Sequence, residues 1–309
     1  LKLKRRHRHM DPIWNRVARV AEPRYAAVVT VVAVVLFAFG WWQAQKVKVG
    51  DLHPGVPELH ADSRYNIDTD VITERFSIGV DVIAVIVETD PQGCTDHGIM
   101  TTIDRFEWHM RNVPGVQSVF GIGGVAKVIN AGWNEGSLEW RVLPRNQSTM
   151  ALSVTYIDTN TGLLNADCSV MPVYLYTLDH KAETIDRIVG EVKAFGAQHG
   201  SDDLQFRLAT GNVGVMAATN EAVAAAQFPI LVYVFGAVIL LCLVTFRSLR
   251  ATICIVVPLA LVSLLSYALM AWLEIGLKVS TLPVVALGVG VGVDYGIYIY
   301  ARFRSFYRR

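Results

Sequence analysis

Charge is scarce in this sequence. Asp, Glu, Lys and Arg make up 18% of 309 residues and apolar side chains 52%, a balance that argues against a single soluble domain. Cysteine is scarce too. The four present form no CxxC and no Cys/His cluster, which excludes a zinc site and a disulfide-dense scaffold, and no metal or other cofactor is expected. No Ser/His/Asp constellation stands out, so an enzyme is not expected. The glycines of Gly121-Ile122-Gly123-Gly124 are followed by no Lys-Ser/Thr, and GxGxxG is absent, so nucleotide binding is not expected there. The net charge is +1, and beyond one basic end nothing suggests a nucleic-acid partner.

What the chain does have is long uncharged runs. There are 21 residues between Arg24 and Lys46, 25 between Glu221 and Arg247, and 23 between Arg250 and Glu274. The 23 residues between Lys278 and Arg302 hold a single charge, Asp294. About 20 apolar residues suffice to cross the hydrocarbon core as a helix. Each run therefore predicts a membrane span, and the lipid bilayer is the first expected partner. The first run is read as a retained helix and not as a signal peptide, because Trp41 and Trp42 suit an interfacial anchor and no small-residue cleavage pattern follows.

Basic residues cluster before the first run, between the second and third at Arg247 and Arg250, and after the fourth at Arg302 and Arg304. With alternating spans all three clusters fall on one side, which the positive-inside rule makes the cytoplasm. The expected organisation is a basic cytoplasmic tail (1–24), a first span (25–42), an extracytoplasmic domain (43–225), three further spans (228–246, 251–273, 279–301) and a basic cytoplasmic end (302–309).

Within the outer domain, hydrophobic patterning predicts a helix over 63–76, a strand over 80–89, an amphipathic helix over 97–112 and a strand over 116–120. Strands are expected at 151–158, 169–178 and 204–209, with a helix at 181–197. Residues 121–147 receive no assignment. Two split β-α-β units suggest a ferredoxin-like, or duplicated ferredoxin-like, α+β domain. Residues 212–227 are expected to run as a helix into the second span. Cys94 and Cys168 each lie beside a strand in this domain. Either they form a disulfide, which an extracytoplasmic compartment permits, or they are two separately buried thiols. The histidines at 53, 60, 97, 109, 180 and 199 are read as solvated side chains.

The fourth run carries the most chemistry. Gly288, Gly292 and Gly296 recur every four residues on one face, where a neighbouring helix can approach closely. Gly290, Asp294 and Tyr298 form a second stripe on a different face. An intramembrane carboxyl costs about 2.5–3.5 kcal/mol on insertion scales. Asp294 is therefore expected to act as a proton relay, with Tyr295 and Tyr298 as its nearest hydrogen-bonding candidates by sequence. The alternative is an Asp that serves only a helix contact.

The Gly290-x-x-x-Asp294 pattern, the Asp294-Tyr295 pair and the order of parts resemble the RND superfamily of proton-driven exporters, in its MMPL branch. The resemblance implies an α-helical membrane protein with an extracytoplasmic, porter-type α+β domain in the bacterial inner membrane. It implies proton-motive-force-driven export of hydrophobic or lipid-like substrates. It also implies that the chain is an N-terminal portion of the first repeat, working with the remaining transporter half or with oligomeric copies. Two other readings share the plan: a sterol-sensing-type lipid-binding module, and a SecD/SecF-type protein-export component, whose Asp-x-Asn pattern has Gly296 in place of the Asn.

Overall fold

The structure is a computed structural model. It describes residues 19–56, 59–60 and 62–307, so most of the expected basic tail (1–18) and the last two residues of the basic end (308–309) lie outside the described residues. In chain order the elements are α1 (Pro23–Ala44), α2 (Arg64–Arg75), β1 (Asp81–Thr89), α3 (His97–Arg111), β2 (Val116–Phe120), α4 (Ile122–Trp133), α5 (Gln147–Val154), β3 (Val170–Thr177), α6 (Ala182–His199), β4 (Leu204–Thr210), α7 (Asn212–Phe246), α8 (Leu249–Trp272) and α9 (Leu282–Tyr307). The chain divides into two compact units, residues 49–224 and residues 1–48 with 225–309.

The first unit is α+β. Its four strands form one sheet in the order β2-β3-β1-β4, and every neighbouring pair is antiparallel. Each β-α-β pair is thus split by a strand of the other, so the two units seen in the sequence share one sheet instead of forming two. Alternation decides which face is covered. Ile83, Val85 and Val87 of β1 sit opposite Leu175, Val173 and Met171 of β3, and all six are buried. Onto them pack Met100, Ile103, Phe106 and Met110 of α3, and Ile185, Ile188, Val192 and Phe195 of α6. Phe106, Phe195 and Phe206 form an aromatic cluster with centroids 4.9–5.4 Å apart. Each such buried side chain contributes roughly 1.5–3 kcal/mol.

One strand expectation fails. Residues 151–158 are not extended, and Gln147–Val154 is a helix instead. Asn146 caps it, its side chain accepting from the N–H groups of Ser148 and Thr149. Met150, Ser153 and Val154 then fall at helical spacing and are buried. A cap and a buried face outweigh the weak β-preference of Val and Thr. The unassigned stretch 121–147 supplies α4 and a short turn at Leu138–Trp140.

In the second unit, the helices α1, α7, α8 and α9 are each long and apolar enough to cross a membrane. Gly40 of α1 lies against Leu264 and Leu265 of α8, where an added Cβ would come within 3.3 Å. Val238, Cys242 and Phe246 of α7, Ile255 and Leu259 of α8 and Val289 of α9 form one buried cluster. Near Trp42, the Lys46 ammonium sits 3.7 Å from the ring centroid. The fourth span begins at Leu282 and not at residue 279, because Thr281 closes a turn first: its hydroxyl accepts from the Lys278 N–H at 2.8 Å.

Cys94 and Cys168 are joined by a disulfide with Cα atoms 5.5 Å apart, while Cys242 and Cys254 are free. The bridge spans 74 positions of sequence. By the chain-entropy account, removing it is expected to cost about 4 kcal/mol. Denaturant unfolding of the Cys94→Ser/Cys168→Ser double variant measures this, and non-reducing peptide mapping should recover the Cys94–Cys168 pair alone.

Candidate functional site

Helix α9 carries two faces of opposite character. Two residues advance a helix by about 200°, so Gly292 and Asp294 point nearly opposite ways. The glycine face lies on α8. A Cβ at Gly292 would come 2.5 Å from a terminal methyl of Leu259, and one at Gly296 would come 2.8 Å from Cγ2 of Ile255. Gly288 lies on the same stripe but has nothing within 4 Å of the site a Cβ would take. It borders an apolar groove of about 410 Å³, which is lined also by Pro258, Val262, Gly292, Gly296 and Phe303. Further along, Tyr300 meets Phe246 of α7 edge-on, with centroids 4.9 Å apart. These contacts fix the rotation of α9 about its own axis.

That rotation leaves Asp294 on the uncovered side. Asp294, Tyr295 and Tyr298 are exposed among the described residues, and Gly290 has nothing within 4 Å. Among the described residues no hydrogen bond or ion pair reaches the Asp294 carboxyl. Tyr295 and Tyr298, singled out in the sequence as its candidate partners, flank it in sequence without bonding to it.

The α+β unit holds two ionisable groups of note, one that sequence reading passed over and one that it read as solvated. Glu107 of α3 is 1% exposed. Its Oε1 accepts the Gly123 N–H at 2.9 Å and its Oε2 accepts the Gly124 N–H at 3.0 Å. The glycines that superficially suggest a phosphate loop therefore open helix α4, and a carboxyl of the same chain occupies its N-terminus. Glycine leaves room for the carboxyl there, because a Cβ at Gly121 or Gly123 would come within 2.9 Å of Glu107 Oε1 and displace it from the two N–H groups. Burial most of all, and then Asp104, push the Glu107 carboxyl up to about 7, while the two backbone donors and Lys127 pull it down. Lys127 itself is tied to Asp104 at 2.5 Å. That pair lines a polar cleft of about 740 Å³ with His97, Trp140, Arg141 and Arg145.

His180 is the second group. It is not solvated, as the sequence suggested: its Nδ1 lies 2.8 Å from Asp81 Oδ2 and its Nε2 lies 2.7 Å from the Gly55 carbonyl. His97 and His109 are likewise engaged, with the Pro144 carbonyl and with Glu191. No local pattern announces these contacts, since His180 and Gly55 are 125 positions apart. No group of three or more His, Cys, Asp or Glu among the described residues has the geometry of a metal site.

The MMPL family model matches residues 59–309, a range that takes in the sheet, α7, α8 and α9. No curated protein matches the chain.

Two outcomes are expected from these geometries. Ile255 is β-branched and stiff, whereas a Leu259 methyl can swing aside. Gly296→Ala should therefore weaken the α8–α9 contact by roughly 1–3 kcal/mol. Gly288→Ala meets no neighbour and should instead stabilise, by up to about 1 kcal/mol, and unfolding of the chain in detergent compares the two. The folded Glu107 carboxyl holds its proton to higher pH than the unfolded one, so the folded state binds more protons between 4.5 and about 7. Stability should fall as pH rises through that window, by an amount on the order of 3 kcal/mol. Glu107→Gln should flatten the slope, which urea unfolding at about pH 4.5 and 8 reads directly.

Proposed function

The chain belongs to the MMPL family of RND-type membrane transporters, and we propose that it serves an exporter that uses the proton-motive force to move hydrophobic or lipid-like molecules. In this reading the spans sit in a bacterial inner membrane. The α+β unit is a ferredoxin-like, porter-type domain on the periplasmic side, and both chain ends lie in the cytoplasm. Two observations support the orientation. Arg247, Arg250, Arg302 and Arg304 fall on one side of alternating spans. The Cys94–Cys168 bridge suits an oxidising compartment on the other side.

The observation that carries the mechanism is the opposition of the two faces of α9. The glycine face is spent on α8, so the helix is held while Asp294 is turned away from it. A carboxylate in hydrocarbon must find water or a partner, whereas a carboxylic acid need not. Proton uptake and release at Asp294 would thus change what the open face of α9 can pack against. Gly290 leaves room there, and Tyr298 offers a hydroxyl one turn along. The partner for that face is a neighbouring membrane helix, such as one of another copy of the chain. The substrate class follows from the family and from no residue of this sequence.

Asp294→Asn preserves shape and hydrogen bonding but cannot carry the proton. In cells that make the transporter containing this chain, proton-coupled export by this variant should drop by about a hundredfold, a typical share for a proton-transfer group. Expression and membrane insertion should be unchanged. Undiminished export would make Asp294 a structural residue and remove the basis of the proposal.

A further inference from the structure

His180 stands at a junction of chain segments within the α+β unit. Among the described residues its imidazole receives no donor: one ring nitrogen faces a carboxylate oxygen of Asp81 at 2.8 Å, and the other faces the Gly55 carbonyl at 2.7 Å. A carbonyl only accepts, and an ionised carboxylate only accepts. A neutral imidazole has one N–H and would leave one of these contacts as acceptor against acceptor. Only the imidazolium, with a proton on each nitrogen, satisfies both.

The Asp81 carboxylate is itself shared. Its Oδ1 accepts from the Asn212 side-chain amide at 3.1 Å, and the same amide group reaches the Val80 carbonyl at 3.2 Å. The side-chain Oδ1 of Asn212 in turn accepts the Val82 N–H at 2.9 Å. Asn212 is the first residue of α7, and Gly55 lies in the segment that follows α1. One cluster thus binds the 49–56 segment, the start of β1, the loop after β3 and the start of α7. The backbone is close-packed here as well: Gly211 has φ +93, and a Cβ on it would meet the Val82 carbonyl oxygen at 2.3 Å.

We propose that His180 is a proton-operated latch, which as imidazolium fastens the 49–56 segment to the Asp81–Asn212 corner and on losing its proton lets Gly55 go. The charged groups acting on the ring are acidic. Asp81 bonds to it, and Asp51 from the 49–56 segment adds a further attraction for the cation. On its own loop, Lys181 is engaged by Asp179 at 3.4 Å. From α7 the facing group is the uncharged Asn212 amide. The hydrogen bond that His180 donates to Asp81 is the main influence that holds its proton to higher pH than an ordinary imidazole, against the opposing effect of burial. The sign follows. The latch is fully closed below the ordinary histidine range of about 6.5, and it opens as pH rises through the higher folded value. This holds whatever role Asp294 plays, because no membrane group takes part.

The test uses the full chain in detergent or nanodiscs with labelled histidine. Side-chain nitrogen shifts should show His180 doubly protonated at about pH 7, where a free histidine is mostly neutral. Backbone exchange of the 49–56 segment, corrected for the intrinsic effect of pH, should quicken about tenfold between about pH 5.5 and 8.5, in keeping with the loss of one charge-assisted bond. Asp81→Asn should move that midpoint to lower pH, and His180→Gln should abolish the pH dependence. A neutral His180 at about pH 6 in the unaltered chain would overturn the proposal. So would an exchange profile that persists in His180→Gln. If His180→Gln does not fold, the nitrogen shifts of the unaltered chain decide alone.

Discussion

The contact between the glycine stripe of α9 and the branched side chains of α8 sets the geometry on which the membrane unit depends. An apolar helix among apolar helices has no strong preference for one rotation, because lipid and leucine are nearly equivalent surroundings. Close approach breaks that degeneracy. With Ile255 and Leu259 set against Gly296 and Gly292, only one face of α9 can lie there. The direction of Asp294 is then determined by steric fit at two glycines, although the carboxyl touches neither. Charge placement in this helix is a consequence of where side chains are missing.

A different economy governs the ionisable groups of the α+β unit. Glu107 and His180 are both drawn out of water, and each is met by backbone. Glu107 takes two N–H groups of a helix start, and His180 gives a proton to a carbonyl. Burial favours the neutral form of each, while local partners favour the charged form. For Glu107 burial prevails, and for His180 the Asp81 carboxylate prevails. The same two influences therefore leave one carboxyl pushed up to about 7 and one imidazole that holds its proton to higher pH than an ordinary histidine.

The parts of the fold that a sequence makes plain are those whose signal is local. The run at 80–89 became β1, and the i, i+3, i+4 pattern at 97–112 became α3, with Asp96 as its cap. Ser63 capped α2, as a helix beginning there requires. Residues 151–158 misled because Leu152, Val154 and Ile157 look strand-like one by one, and only the cap at Asn146 and the buried face reveal the helix. The candidate site was legible to a similar degree. The residue types and spacing in α9 show two stripes, but not which of the glycines finds a neighbour. Glu107 and His180 were invisible for a physical reason: a buried charge declares itself through partners 16 to 125 positions away.

Gly290 gives the strongest reason to expect something on the open face of α9. A glycine within a helix costs about 1 kcal/mol relative to alanine, since it gives up more backbone freedom. At Gly292 and Gly296 that cost is returned by contact with α8. At Gly290, as at Gly288 beside the apolar groove, nothing among the described residues comes within 4 Å, so no return is evident in the helices described here. The position lies one turn before Asp294, where a Cβ would stand beside the carboxyl's path to any approaching surface. A small residue there keeps the carboxyl accessible to a close neighbour or to water.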